Sequence, residues 1–213
     1  MSAAGGSAAR EAARIRARAR QGVWGHVTAW VGLNPQAAAA DVVAARWELG
    51  AKAEKETARV LRSLRWRGWR IRHDLQLVGR RFNIDHVLIS PCGRAVVVAD
   101  TKRWHAGRDT TVTPGRLWCG GEDRTGEAEK SARYAVAVSG VLGLEGVVVW
   151  PLLIVQGSTV RGGHVQVVTA AGVVQVVSAG EARRVLAGAP SGWSWSGARR
   201  VGLRVGEVLT PYR

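Results

Sequence analysis

The sequence predicts a mixed α/β fold, a sheet with helices packed on it. Three observations carry this. Residues 41–65 repeat apolar side chains at spacings of three and four, residues 69–103 hold three strand-like runs, and a helix-like segment at 126–143 leads into the apolar run Val147 to Val155. Spacings of three and four mark one face of a helix, and short runs rich in β-branched residues mark strands. A meander followed by a helical crossover into a buried strand requires both antiparallel and parallel pairing.

Taken in order, residues 1–40 read as a basic arm and connector. Arg10, Arg14, Arg16, Arg18 and Arg20 follow an Ala/Gly/Ser stretch, without the spacing of a clean stripe, so a solvated, partly helical arm is expected. Trp24, Trp30 and the breaker Asn34-Pro35 make the connector. In the first helix Asp41 is the expected N-cap, and Val42, Val43, Trp47, Ala51, Glu54, Ala58, Leu61 and Leu64 share a stripe that ends at Trp66-Arg67-Gly68. Gly50 costs about 1 kcal/mol relative to Ala inside a helix, so it marks either close packing or a break between two helices. Glu54 lies on the stripe that should meet the core.

Trp69 to Leu77, Asn83 to Ile89 and Arg94 to Thr101 are the strands, with Ser90-Pro91-Cys92-Gly93 as a turn between the last two. A short strand is expected at Arg116 to Cys119. The next helix should bury Ala128, Ala132, Ala135, Val136, Val138, Leu142 and Leu144. Val147 to Val155 suits a strand covered on both faces. A hairpin is expected at 165–178, a short helix at Glu181 to Leu186, and a Gly/Ser-rich tail over 187–213 carrying Trp193 and Trp195. The expected division is an arm at 1–40, a core at 41–157 and a β-rich C-terminal extension at 158–213.

Composition narrows the function. Lys and Arg total 31, 27 of them Arg, against 16 Asp and Glu, so the net charge is +15 over 213 residues. A sequence pI of 11.5 points to a polyanionic partner, although a GC-rich coding sequence would also raise Arg, Ala, Gly and Val together. The longest apolar run is far short of the ~20 residues a spanning helix needs. No apolar stretch follows the basic run as a secretory signal requires. Two cysteines, Cys92 and Cys119, make neither a disulfide scaffold nor a four-Cys zinc site, and a reduced, cytoplasmic setting is expected.

One constellation carries chemistry. Asp85 lies inside an apolar strand, and Asp100 and Lys102 share a face at the end of the next. If the hairpin closes on a two-residue loop at Cys92-Gly93, Asp85 stands directly opposite Asp100, with Glu54 brought in by the preceding helix. A three-residue loop with a Gly bulge would instead turn Asp85 away. Opposed like charges destabilise a sheet. A divalent cation such as Mg²⁺ would compensate, since it takes a few carboxylates, waters and a substrate phosphate. Phosphodiester hydrolysis is the chemistry this implies, with Lys102 offsetting developing phosphate charge. The competing reading is an Asp100–Lys102 surface ion pair and an Asp85 satisfied by an Arg.

Asp85 with Asp100-Thr101-Lys102 resembles the Asp…(Asp/Glu)-x-Lys signature of the PD-(D/E)XK nuclease superfamily. More narrowly, the chain resembles the nuclease-related domain (NERD) family. The stretches that carry the resemblance are Trp47-Glu48-Leu49-Gly50-Ala51-Lys52-Ala53-Glu54, Thr57-Ala58-Arg59-Val60-Leu61, Gly68-Trp69, His73-Asp74, Asn83-Ile84-Asp85-His86, Gly93, Val96 to Lys102 with Trp104, and Gly115-Arg116-Leu117-Trp118, from about residue 45 to about residue 155. The resemblance implies a restriction-endonuclease-like mixed sheet with an α-β-β-β-α-β core flanked by helices. It also implies Glu54, Asp85, Asp100 and Lys102 as the catalytic set, with the three acids holding Mg²⁺ or Mn²⁺. The sequence departs from the family pattern at Ala53-Glu54, where Gly-Glu is usual. It departs again at Arg133-Tyr134-Ala135-Val136, where a helix Gln or Glu is usual.

Residues 59–81 hold eight Arg and one acid, with Trp66 and Trp69 interleaved. Arg65, Arg67, Arg70, Arg72, Arg80, Arg81 and, beside the signature, Arg103 are the candidate nucleic-acid contacts. The expected partner is DNA, with RNA the chemically related alternative; no membrane partner is expected, and a homodimer is compatible. A metal-dependent nuclease is the leading function, and a non-catalytic DNA-binding module on the same fold is the alternative.

Overall fold

The structure is a computed structural model that describes residues 4–20, 35–80, 82–188 and 192–212. The connector residues Trp24, Trp30 and Asn34, and the candidate contact Arg81, lie outside the described residues.

The elements in chain order are α1 (Gly6–Ala19), α2 (Pro35–Arg62), a 3₁₀ turn (Ser63–Arg67), β1 (Arg70–Leu77), β2 (Asn83–Ile89), β3 (Ala95–Arg103), β4 (Asp109–Thr113), β5 (Arg116–Cys119), β6 (Glu122–Asp123), α3 (Thr125–Leu142), β7 (Val148–Gln156), β8 (Thr159–Val160), β9 (His164–Thr169), β10 (Gly172–Ser178), α4 (Ala182–Ala187), α5 (Trp195–Val208) and β11 (Leu209–Pro211). A seven-stranded mixed sheet runs β11-β1-β2-β3-β7-β10-β9, and a small sheet runs β6-β5-β4-β8. β3 pairs in parallel with β7 after the α3 crossover, as the sequence pattern requires. The β9–β10 hairpin is the far edge of the same sheet, through parallel pairing of β10 with β7. Pro151 lies inside β7 but before Leu152, where pairing with β10 begins, so its missing N–H falls where one side of the ladder is open.

Helices cover both faces. Leu61 of α2 and Leu186 of α4 pack on Leu88, Val97, Leu152 and Ile154. Ala135 and Val138 of α3, with Val201 and Val205 of α5, pack on Val87, Ile89, Val96 and Val98. The two lists alternate along β2 and β3, as period-two strands demand. Among the described residues no helix is long and apolar enough to cross a membrane.

The helical details depart from expectation in five places. α2 begins at Pro35 rather than at Asp41. Proline presets the first helical turn and the four alanines propagate it. Asp41, well inside the helix, accepts from Arg16 and Arg20 of α1 at 3.3 and 2.9 Å, and Arg16 also pairs with Glu48, so the basic arm is docked on α2 rather than solvated. Gly50 neither breaks the helix nor admits a neighbour, since a Cβ there would meet nothing within 4 Å. Val42, Val43 and Trp47, expected in the core, are exposed, as is Val136 of α3. The Gly/Ser-rich tail, placed by the sequence in a β-rich extension, contains α5, capped by Ser194, whose hydroxyl accepts from Gly197 N–H at 3.1 Å.

Candidate active site

The β2–β3 register brings the acids together. His86 pairs with Ala99 and Val87 with Val98. The loop is four residues, Pro91 to Arg94, closed where Ser90 N–H donates to the Ala95 carbonyl at 2.9 Å. An even loop keeps the parity of the two-residue hairpin, so continuing the ladder sets Asp85 opposite Asp100. Asp85 Oδ2 accepts from the Thr101 backbone N–H at 2.7 Å. Lys102 Nζ lies 2.6 Å from Asp100 Oδ2. Glu54 enters from α2, and all four residues line one cleft of about 790 Å³. The apolar stripe of α2 reappears here: Val43, Trp47 and Gly50 line the same cleft, which is why they are not covered by core.

Three acids in one buried place disturb one another. Glu54 is pushed up to about 7 by burial, then by Asp74 and Asp100, against an opposing backbone hydrogen bond from Gly5 and the charge of Lys102. Asp85 is held well above the ordinary carboxylate range by burial, Asp100 and Glu54. Burial works against the Lys102 charge, but Asp100 and Asp85 outweigh it and hold the ammonium above its usual value. Glu54 Oε2 is buried with no hydrogen-bond partner.

Asp74 is a fourth acid that the sequence reading did not place in the site. In the β1–β2 register it falls between the pairs His73–His86 and Leu75–Ile84, opposite Asp85. Its φ is 52°, in the left-handed region, and its side chain is fully buried. Ser7 N–H, at the start of α1, donates to Asp74 Oδ2 at 3.0 Å, and Tyr212 N–H donates to the Asp74 carbonyl at 2.9 Å. Ser7 Oγ accepts from Asn83 Nδ2 at 3.0 Å. The start of the basic arm therefore sits on the acidic end of the sheet. The sequence signal was the His73-Asp74 pair, an acid alone among eight arginines.

Around the cleft, Arg103 and His105 follow Lys102, and Lys130 reaches in from α3. Arg103 lies 3.7 Å from Glu56. Trp104 Nε1 donates to Glu127 at 3.1 Å. The stretch Arg133-Tyr134-Ala135-Val136 is not part of the cleft, since Tyr134 stacks on Phe82 and Val136 faces solvent. His86 points to the other side of the sheet, with one ring nitrogen 2.8 Å from His73 Nδ1 and the other 3.2 Å from Thr101 Oγ1. Burial, then His73, lowers it to about 3, so it stays neutral.

Among the described candidate nucleic-acid contacts, Arg103 alone lines this cleft. Arg65 and Arg67 are on the 3₁₀ turn and Arg70 and Arg72 at the start of β1, toward the opposite end of the sheet. Arg80 is exposed in the β1–β2 connection. Among the described residues no three His, Cys, Asp or Glu side chains are grouped closely enough to hold a metal ion by themselves.

The family model for the nuclease-related domain matches residues 49–155, half of the chain, and spans Glu54, Asp85, Asp100 and Lys102. No curated protein and no solved structure matches the chain. With a mixed sheet flanked by helices and an acidic cleft inside the matched segment, the chain belongs to the nuclease-related domain family.

Proposed function

We propose that the chain is a metal-dependent nuclease that hydrolyses DNA phosphodiester bonds in the cleft lined by Glu54, Asp85, Asp100 and Lys102. The observation that carries this reading is the burial of three carboxylates in one cleft of a protein with net charge +15. Uncompensated buried like charge is costly, and a fold retains it where the charge has work to do.

The donor chemistry fits Mg²⁺ or Mn²⁺. Mg²⁺ takes oxygen ligands, usually one or two carboxylates completed by waters and substrate phosphate, so it does not need three acids already gathered. Asp85 and Asp100 would hold it, and Glu54, whose Oε2 is partnerless in the same cleft, would add negative charge that draws it in. Such a cation, when bound, supplies charge stabilisation at phosphoryl oxygen and acidifies water. The chain's own residues do the rest. Lys102, kept charged by Asp100 and Asp85, directs its N–H donors at a phosphate oxygen as negative charge builds. Arg103 and Lys130 neutralise flanking phosphates, and Trp47 offers a ring to a base at the cleft mouth.

The test is cleavage of plasmid DNA with Mg²⁺ or Mn²⁺. Wild type should cut and Asp100→Ala should not, while circular dichroism shows an intact fold. Equal cutting by the variant would overturn this site. Salt-sensitive binding without cutting under either metal would favour the non-catalytic DNA-binding module.

A further inference from the structure

At the end of β2 and β3 remote from the acids, the chain gathers exposed indoles. Trp66 is 92% exposed, Trp193 74% and Trp195 69%, although Trp69 and Trp104 are buried. They form one surface. The Trp193 ring lies so close over Gly68 that a Cβ there would stand 2.5 Å from it, and Gly68, at φ 80°, ends the 3₁₀ turn that carries Trp66. Ser194 N–H donates to the Pro91 carbonyl at 3.1 Å, fixing the lead into α5 on the β2–β3 loop. The Arg199 guanidinium sits 5.4 Å over the Trp195 ring. Arg199 also lines a cavity of about 540 Å³ together with Arg70 and Arg72, and no acid lines it. Among the described residues none of Arg65, Arg67, Arg70, Arg72 and Arg199 is in an ion pair, whereas Arg16, Arg108, Arg116 and Arg124 are.

We infer that this face binds single-stranded nucleic acid, its indoles stacking on unpaired bases and its arginines taking the phosphates. Large aromatic rings left in solvent forgo the free energy of burial, so three in one place mark a surface that is covered in use. Bases have π-faces that pack on indole in any sequence, and stacking is worth ~1–3 kcal/mol per base. A duplex hides those faces along its length, so a ring platform selects a single strand. Arginines held in no ion pair lie beside the rings and supply the phosphate contacts, Arg72 being fixed by donating to the Gly202 carbonyl at 2.9 Å. The five residues from Asp85 to Ser90 put the platform about 16 Å along the strand from the acids. The inference extends the nuclease reading, on which it rests only for the statement that the bound strand is also the substrate.

The experiment is fluorescence anisotropy of labelled oligothymidine, and of a duplex of equal length, with the full chain in EDTA. Wild type should bind the single strand more tightly. The triple variant Trp66→Ala, Trp193→Ala, Trp195→Ala should lose on the order of tenfold or more for the single strand and little for the duplex, with circular dichroism unchanged. Because wild-type indole fluorescence should be quenched by oligothymidine, the proposal stays testable if the triple variant does not fold: binding without quenching overturns it. Unchanged single-strand affinity in a folded triple variant overturns it too. So does loss of sedimentation with anionic vesicles while oligothymidine binding persists, which would assign the platform to a membrane surface. Loss of cleavage with oligothymidine binding intact would sink the nuclease reading alone.

Discussion

The backbone N–H of Ser7 donates a 3.0 Å hydrogen bond to Oδ2 of Asp74, a residue held at φ 52° opposite Asp85. A non-glycine residue in the left-handed region costs about 1–2 kcal/mol, and the cost persists only where neighbours over-determine it. Here they do: Ser7 takes the carboxylate, Arg10 lies 3.8 Å away, and Tyr212 takes the carbonyl. Asp74→Ala leaves the half-buried Ser7 amide without its acceptor and keeps the backbone strain, so it should destabilise the fold by about 1–2 kcal/mol in denaturant unfolding. Asp74→Asn, which keeps an acceptor oxygen, should lose less than half of that. Equal losses would show that the charge, and not the acceptor, holds α1 in place.

Glu54 gives the acidic cleft a pH signature. Its carboxyl titrates at about 7 in the folded chain and at an ordinary 4.5 unfolded, chiefly because of burial. Between these values the folded state holds the extra proton, so the contribution is fully present below pH 4.5 and is lost as pH rises through 7. The loss amounts to roughly 3 kcal/mol. Glu54→Gln should remove this slope and be more stable than wild type at pH 8. Mg²⁺ or Mn²⁺ should raise the wild-type melting temperature more at pH 8 than at pH 5, because only the ionised acids attract the cation. Thermal unfolding across that range, with metal and with EDTA, measures both.

Lys102 neutralises Asp100 across 2.6 Å, and removing it exposes what it offsets. Lys102→Met leaves Asp100 and Asp85 without their counter-charge, at a cost of about 3–5 kcal/mol for a broken buried pair. The cost should shrink as pH falls, since burial, Asp100 and Glu54 make the Asp85 carboxyl take up its proton more readily than an ordinary aspartate. Cleavage should fall by about 10²–10³, the usual effect of removing one donor to developing charge. A Lys102→Met protein as stable as wild type at pH 8 would mean that the two aspartates are paired elsewhere.

The Asp85–Asp100 relation was legible in the sequence as one of two registers, because strand period fixes which side chains oppose once the loop is even or odd, and the four-residue loop is even. Asp74 was not legible, since nothing in an Arg-rich strand announces a left-handed residue. Nor was α5, where Gly197, Gly202 and Gly206 depress helix propensity. Gly197 is set by a neighbour: a Cβ there would stand 3.0 Å from the Cys92 carbonyl oxygen, a contact only the tertiary structure reveals. The stripe of α2 is covered at Ala51, Glu54, Leu61 and Leu64 as read, and open at Val42, Val43 and Trp47, where cover was expected. Periodicity reports a face's chemistry and not what lies against it, and Val43 and Trp47 face the cleft.

His86 should limit stability on the acid side. Its ring is fully buried between His73 and Thr101 and titrates at about 3, chiefly through burial, against 6.5 when unfolded. The depressed value means its contribution is complete above pH 6.5 and is lost as pH falls toward 3. This slope opposes that of Glu54 where the two windows overlap. In a Glu54→Gln background, stability should therefore fall steadily as the pH drops below 6.5, and His86→Asn should flatten the curve. An unflattened curve would place the acid sensitivity in another group.

Trp47 separates the two aromatic surfaces. It is exposed on α2 at the wall of the acid cleft, while Trp66, Trp193 and Trp195 lie at the other end of the sheet. Because Trp47 lies on the cleft wall and outside the core clusters, with 44% of its surface exposed, Trp47→Ala should cost no more than about 1–2 kcal/mol of stability. Loss of one base stack should raise the KM for DNA cleavage on the order of tenfold. Since a ring that grips substrate and transition state alike contributes to binding only, kcat should stay near the wild-type value. A fall in kcat with KM unchanged would instead mean that Trp47 shapes the reacting centre, moving the strand's path closer to Asp85 and Asp100 than a ring at the cleft mouth implies.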